Sequence, residues 1–132
     1  ALEVCIDDYE TRVKTLSDLR DRLQAGLTKK CSPVEINGSL EHRLPNTLNI
    51  SFPGLDGEAL LVALDLAGIA CSLGSTCASG SAEPAPILLA MNKSEDVYSS
   101  AVRFSVGVQN TLAEMDDAVE RITRVVTKMR NV

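Results

Sequence analysis

Two segments of this chain alternate apolar and polar residues, and they constrain the fold more than any other feature. The segments are TLNISF (47–52) and AVRFSVG (101–107). Successive side chains of a strand point to opposite faces, so a period of two predicts a half-buried strand. In the second segment, one face carries Val102, Phe104 and Val106 and the other carries Ala101, Arg103 and Ser105. Each segment is therefore expected to cover a core with one face and leave a polar face outside.

The other patterns supply two shorter strands and several helices around this pair. Apolar segments predict short strands at 33–37 and 69–72, and Asp56 and Gly68 bound a helix over 57–67. Residues 85–91 predict a helix after Pro84. The capping box Thr111-x-x-Glu114 begins the last helix, whose expected buried stripe is Leu112, Met115, Val119, Ile122, Val126 and Met129. The expected fold is α+β, a small and mostly antiparallel sheet covered by helices.

The first helix is predicted over residues 2–28 from apolar residues spaced three and four apart. No Ser, Thr, Asp or Pro precedes its first apolar position, so it lacks a start signal. We therefore expect residues 1–30 to be part of a longer helix that is cut at Ala1, and residues 1–132 to form a single domain of a larger protein. The first residues, about 1–8, are expected to be weakly protected because untethered termini fray.

Composition excludes several classes of function. The chain carries 13 basic and 18 acidic residues, for a net charge of −5. This charge gives no electrostatic basis for binding nucleic acid or an anionic membrane. Apolar runs such as ALLVAL (59–64) are too short to span a bilayer, and the first residues do not show a signal-peptide pattern. A cytoplasmic globular protein is expected.

Four cysteines raise the question of disulfides or metal. Because nothing suggests secretion, we expect reduced thiols rather than two disulfides. No C-x-x-C pair occurs and His42 is the only histidine, so a structural zinc site is not expected. We expect Cys71, at the end of an apolar segment, to be structural, and Cys5 and Cys31 to be incidental.

Cys77 lies within GSTCASGSAEP (74–84), a run of small residues that favours a mobile loop. A thiol reacts as the thiolate, and a polar loop favours reactivity more than an apolar core does. Residues 73–82 are therefore expected to be mobile, with Cys77 as a candidate nucleophile. The same pattern is equally consistent with a surface loop that contains an incidental cysteine.

Arg103 lies on the polar face of a strand whose other face is apolar. A guanidinium held by a rigid strand suits bidentate binding of a carboxylate. The alternative is an exposed arginine that pairs with an acidic neighbour. His42, next to Arg43 in a polar segment, is assigned no role.

The combination of these segments resembles a known family. EHRLPNTLNISFPGLDGEALLVALDLAGIACSLGSTCASGSAEPAPILLAM (41–91), SSAVRFSVG (99–107) and the final helix are similar to the C-terminal part of NifS/IscS-type cysteine desulfurases. The order of thiol segment, Glu-Pro and Arg-Phe-Ser is specific, and it fits the members with a longer cysteine loop. The resemblance extends over essentially the whole chain.

The resemblance implies the small domain of a fold-type I pyridoxal-phosphate enzyme that converts L-cysteine to L-alanine. It makes Cys77 the residue that carries sulfur as a persulfide, and Arg103 the residue that binds the substrate carboxylate. The cofactor's lysine, stacking histidine and aspartate would belong to the large domain, so none is assigned here, and His42 is not that histidine. The implied partners are a second copy of the full-length enzyme and an iron–sulfur scaffold or another sulfur acceptor. The chain alone is expected to be inactive.

Two other functions remain open from the sequence. One is a relative that uses selenocysteine or cysteine sulfinate as its substrate. The other is a stand-alone sulfur carrier or interaction module without catalysis of its own.

Overall fold

The two alternating segments pair with each other in the middle of a four-stranded antiparallel sheet. The computed structural model describes residues 6–73 and 86–131. In chain order its elements are α1 (Tyr9–Lys30), β1 (Glu35–Ile36), β2 (Thr47–Ser51), α2 (Gly57–Leu66), β3 (Ser72–Leu73), α3 (Pro86–Ala90), α4 (Glu95–Tyr98), β4 (Ala101–Ser105) and α5 (Leu112–Arg130). The strand order is β1-β2-β4-β3. The predicted α+β class is confirmed.

One face of the sheet lies on the main core. Strands β2 and β4 contribute Leu48, Ile50, Val102 and Phe104, all nearly inaccessible to solvent. Helices α1, α2 and α5 cover them with Leu19, Leu23, Leu27, Leu60, Leu64, Met115, Val119, Ile122 and Val126. Removing these aliphatic side chains from water is the main stabilising contribution, at roughly 25 cal/mol per Å² of buried apolar surface.

Helices α1 and α5 approach each other closely at Gly26. A Cβ atom on Gly26 would lie 2.5 Å from Val119 Cγ2, so a larger residue would push the helices apart. Ion pairs flank this contact: Arg22 contacts Asp116 at 2.6 Å, and Lys30 contacts Glu120. All four side chains are largely exposed, so solvent screening leaves these pairs little effect on stability.

The predicted caps are both formed. Asp56 accepts a hydrogen bond from the Ala59 backbone N–H at 2.8 Å, which begins α2. Thr111 and Glu114 exchange hydrogen bonds with each other's backbone N–H groups at 3.2 and 2.7 Å, which completes the capping box of α5. Both caps could be predicted from the sequence because each involves only residues three positions apart.

Several predicted boundaries are wrong. The third strand is Ser72–Leu73 rather than 69–72, because Ile69 N–H donates to the Leu64 carbonyl and residues 67–69 close the end of α2 around Gly68, whose φ is +77°. Helix α1 extends to Lys30, and Tyr9, one of the residues whose spacing of three and four predicted this helix, is 64% exposed. Leu112 is also exposed, because it is the first residue of α5.

Residues 1–5, with Cys5 and most of the expected frayed turn, lie outside the described part.

The opposite face of the sheet is partly covered by α3 and α4. Leu88 and Tyr98 pack on Ala101, which is 4% exposed although the alternation placed it on the outer face. Helix α4 was not predicted. It turns the chain back toward β4, and Ser100 Oγ donates to the Asp96 carbonyl at 2.6 Å. Beyond Ala101, this outer face is polar.

Helices long and apolar enough to cross a membrane are absent from the described ranges. Groups of three or more His, Cys, Asp or Glu that could hold a metal ion are likewise absent from residues 6–73 and 86–131.

Candidate functional site

Arg103 is the central residue of β4 and projects from the outer face of the sheet. Val102 and Phe104, its neighbours along the strand, are buried on the core side. Across the sheet it lies opposite Asn49 of β2 on one side and Ser72 of β3 on the other. Cross-strand partners share a face and have Cβ atoms roughly 5 Å apart. The backbone of Arg103 is therefore held by strands on both sides, and its cross-strand neighbours on this face are polar.

The charge of Arg103 is not matched within the described part of the chain. Of the residues described, no carboxylate forms an ion pair with its guanidinium. Its Nε is buried and has no hydrogen-bond partner among them. A buried donor without a partner costs about 1–3 kcal/mol, so this side chain is suited to receive a hydrogen-bonding anion.

Asn49 is held in place by Asn37, the residue that follows β1. Asn37 Nδ2 donates to Asn49 Oδ1 at 2.8 Å and to Ser51 Oγ at 2.7 Å. The Asn37 backbone N–H donates to the Asn49 carbonyl at 2.9 Å. Asn37 Oδ1 is buried and has no partner among the described residues. Asn37, Asn49 and Ser51 thus form a fixed polar row beside Arg103.

Sequence reasoning did not identify this row. Asn37-Gly38 signalled only a turn, and Gly38 indeed has a φ of +96°. The alternation placed Asn49 on the polar face of β2, but nothing in the sequence connects it with Asn37. The connection depends on the pairing of β1 with β2, which sets Glu35 opposite Ser51.

A second polar contact ties this face of the sheet to the segment after α3. Lys93 forms an ion pair with Glu35 of β1. The Lys93 side chain is 23% exposed, so the pair is partly shielded from solvent. Lys93 is consequently committed to a structural contact.

Cys77 lies outside the described residues, as does nearly all of the predicted loop 73–82. What the structure describes is where that segment starts. Leu73, the last residue of β3, is next to Ser72, the cross-strand partner of Arg103. An extended chain spans at most about 3.6 Å per residue, so the Cys77 Cα lies within about 14 Å of the Leu73 Cα. This chain length is sufficient for the thiol to reach the Arg103 side chain.

The two described cysteines have environments that suppress reactivity. Cys71 is half-buried, and burial, with a smaller contribution from the charge of Asp65, raises the pKa of its thiol to about 11. Cys31 is buried, and burial raises the pKa of its thiol as well, despite a contact with Thr123 Oγ1 at 3.4 Å. Both stay protonated at neutral pH. Cys31 was expected to be incidental, and it is instead part of the main core.

His42 lies on the exposed connection between β1 and β2, where its backbone N–H donates to Ser39 Oγ at 2.9 Å. The structure does not bring it to Arg103. Two clefts of about 350 and 340 Å³ border α5, and neither is lined by Arg103 or His42. The sheet face, rather than a closed cavity, is the candidate site.

Two described lysines, Lys93 and Lys30, are held in ion pairs and do not fit the role of a Schiff-base lysine. A Schiff-base lysine must be unpaired and near the substrate, but Lys93, the lysine that contacts this sheet, is paired with Glu35. Lys30 is paired with Glu120 on the far helices. The Arg103 guanidinium, unpaired among the described residues and beside Asn49, is suited to anion binding.

The sequence of the chain is similar to those of known proteins. The family model described as Aminotransferase class-V matches residues 6–117. A cysteine desulfurase of Gluconacetobacter diazotrophicus is 40% identical over 127 residues, which is 96% of this chain and 31% of that protein. A cysteine desulfurase IscS of Dictyoglomus turgidum is 33% identical over 132 residues, which is 100% of this chain and 34% of that protein.

Solved structures resemble the fold as well as the sequence. A NifS-like protein superimposes with a TM-score of 0.80 at 28% identity, over 96% of this chain and 31% of its own. The NifS-like protein of Rickettsia africae does so with a TM-score of 0.73 at 26% identity, over the same shares. The chain thus spans about a third of the length of the relatives it matches.

Proposed function

Because the chain belongs to the aminotransferase class-V family, we propose that it is the small domain of a cysteine desulfurase and acts in substrate binding and sulfur transfer. In this proposal Arg103 binds the carboxylate of L-cysteine and Cys77 receives its sulfur. Residues 73–82 are the catalytic cysteine loop, and residues 1–30 belong to the helix that connects the two domains. The rest of the enzyme, including the cofactor lysine, lies outside this segment.

One observation carries the proposal: Arg103 and the start of the Cys77 segment are neighbours across one ladder, Arg103 opposite Ser72. A small amino acid whose carboxylate is bound at Arg103 has its sulfur only a few ångströms away. A thiol tethered about 14 Å or less from Leu73 can reach that sulfur. The pairing of Ser72 with Arg103 supports this proposal because the segment that leads to Cys77 leaves the sheet next to the proposed anion site.

The sulfur step balances as a nucleophilic displacement. The Cys77 thiolate attacks the sulfur of substrate cysteine, an S–S bond forms, and the substrate's C–S bond breaks. The electron pair of that bond stays on the carbon, which takes up a proton to give L-alanine, and Cys77 is left as a persulfide. Pyridoxal phosphate, when bound in the rest of the enzyme, supplies the electron sink for the substrate carbon.

The proposed reaction requires the sulfur on Cys77 to occupy two positions in turn. The persulfide has to reach the substrate first and then an acceptor protein, and one fixed position does not serve both. A segment rich in Gly and Ser permits both positions at small energetic cost. We propose a sulfur-acceptor protein, such as an iron–sulfur scaffold, as the partner, and a homodimer as the state of the complete enzyme.

The test is detection of the persulfide. The complete enzyme is incubated with L-cysteine labelled with heavy sulfur, and the peptide that contains Cys77 is analysed by mass spectrometry. We expect one labelled sulfur atom on Cys77. Cys71→Ser is the matched control, since it removes a neighbouring thiol and should leave the label in place. Label on Cys71 and not on Cys77 would contradict the proposal.

A further inference from the structure

We propose that Asn49 is a positioning residue for Arg103, and that Asn37 fixes Asn49 for this task. In this inference, which rests on the proposed function, Asn49 Oδ1 accepts the Arg103 Nε–H when a substrate carboxylate binds. The outer edge of the guanidinium, Nη1 and Nη2, is then left for the carboxylate. The substrate class is a small α-amino acid.

An unsatisfied donor and an acceptor with spare capacity, on adjacent strands, support this pairing. Arg103 Nε is buried without a partner among the described residues. Opposite it on β2 is Asn49, whose Oδ1 is used once, by Asn37 Nδ2 at 2.8 Å. An amide oxygen has two lone pairs, so this one retains capacity for a second donor. A donor that lacks an acceptor thus lies next to an acceptor with a free lone pair.

Asn37 determines which atom Asn49 presents. Its Nδ2 donates to Asn49 Oδ1 and its backbone N–H donates to the Asn49 carbonyl. A second acceptor, Ser51 Oγ, orients the Asn37 amide in turn, and Ser51 is fully buried. Because this row is fixed before substrate arrives, Asn49 loses no side-chain freedom when Arg103 bonds to it, which favours binding.

A hydrogen bond from Arg103 Nε to Asn49 would also orient the rest of the guanidinium. Guanidinium groups bind carboxylates best through two parallel N–H···O bonds. If Nε is held by Asn49, rotation about the last side-chain bonds of Arg103 is restricted and the Nη edge faces a single direction. The orientation of the carboxylate, and with it the position of the substrate's sulfur, is then set by the sheet.

The test compares Asn49→Leu, Asn37→Ala, Ser72→Ala and Arg103→Ala in the complete enzyme. Binding of L-alanine, which has the carboxylate but no thiol, is titrated through the absorbance of the bound cofactor. We expect Asn49→Leu to weaken L-alanine binding about tenfold and raise KM for L-cysteine equally, with kcat within about twofold, because a hydrogen bond to a charged group is lost. Asn37→Ala should give a smaller effect in the same direction.

Two comparisons distinguish a positioning role of Asn49 from a general disturbance of the structure. Ser72 is the other cross-strand neighbour of Arg103, so Ser72→Ala should leave both constants within about twofold. Inhibition by cysteamine, which lacks the carboxylate, should be unchanged in Asn49→Leu. Equal loss of cysteamine and L-alanine binding would overturn the inference, as would a larger effect of Ser72→Ala than of Asn49→Leu.

The outcome also distinguishes this inference from the function on which it rests. If Arg103→Ala weakens L-alanine binding and Asn49→Leu does not, Arg103 acts without Asn49 and only the inference is wrong. If Arg103→Ala has no effect on L-alanine binding, the carboxylate site itself is wrong and both fail.

Discussion

Ser72 lies directly opposite Arg103 in the β3–β4 ladder. The strand that leads to Cys77 therefore starts beside the guanidinium that is proposed to bind the substrate. Because β4 is paired on both sides, the base of Arg103 cannot shift without disturbing β2 and β3. In the proposed function, the sheet would therefore fix the carboxylate end of the substrate.

Removal of Arg103 should act on substrate binding. Arg103→Ala loses a charge-assisted, bidentate contact that contributes about 2–4 kcal/mol, or roughly 30- to 1000-fold in affinity. Arg103→Lys should recover only part of this, because an ammonium lacks the planar fork. The measurement is the concentration of L-cysteine at which the cofactor's absorbance change is half complete. An unchanged midpoint in Arg103→Ala would contradict the assignment.

The raised pKa of Cys71 predicts its reactivity. Its thiol has a pKa of about 11, mainly through burial, so the thiolate fraction at pH 7.5 is below one in a thousand. Carbamidomethylation of Cys71 by iodoacetamide should be slow at pH 7.5 and rise steeply toward pH 11, as followed by peptide mass spectrometry. Reaction at pH 7.5 as fast as that of free cysteine would show that the thiol is not shielded.

The same shift predicts a stability effect with a definite sign. The folded pKa of Cys71 lies above the usual value for a thiol, so the protonated thiol is favoured in the folded state. Stability is unaffected below about pH 8 and falls as the pH rises toward 11, because only the unfolded chain then readily ionises. Denaturant unfolding of the wild type and Cys71→Ala at pH 8 and 10.5 should show a smaller loss in the variant.

Gly57 connects α2 to the segment that precedes β4. Its N–H donates to the Ser99 carbonyl at 2.9 Å, and an added Cβ would lie 2.5 Å from that oxygen. We expect Gly57→Ala to lower the free energy of unfolding by about 1–3 kcal/mol, through a clash with backbone that cannot rotate away. The control is Glu58→Ala at the next, exposed position, which should stay within about 0.5 kcal/mol. Equal stability of the two variants would show that α2 docks differently.

The capping box of α5 offers an independent test of local energetics. Thr111→Ala removes the acceptor for the Glu114 N–H and should cost about 1 kcal/mol of unfolding free energy. Thr127→Ala, at an exposed position near the other end of α5, replaces the same residue type without a cap and should cost nothing. Loss of the same size in both would show that the cap is not responsible for the effect.

The sequence predicted the features that depend on a few neighbouring residues. It did not predict the contacts that depend on which strands pair. The alternation at 47–52 and 101–107, the Asp56 cap and the Thr111–Glu114 box all appear in the structure. Ala101 was assigned to the polar face because alternation cannot show that Leu88 covers it. The link from Asn37 to Asn49 was missed because it exists only once β1 pairs with β2. The sequence placed Arg103 on the polar face of a strand, whereas its two cross-strand neighbours could be identified only from the register of the sheet.

The central claim is that Cys77 carries sulfur and that Arg103 only binds the substrate. The most direct test measures, in the complete enzyme, both the substrate-induced absorbance change of the cofactor and the release of sulfide from L-cysteine in the presence of a reductant. For Cys77→Ser we expect the absorbance change at an unaltered L-cysteine concentration but no sulfide, because serine lacks the polarizable thiolate. Cys71→Ser, the matched control, should retain both. Full sulfide release by Cys77→Ser would contradict the account.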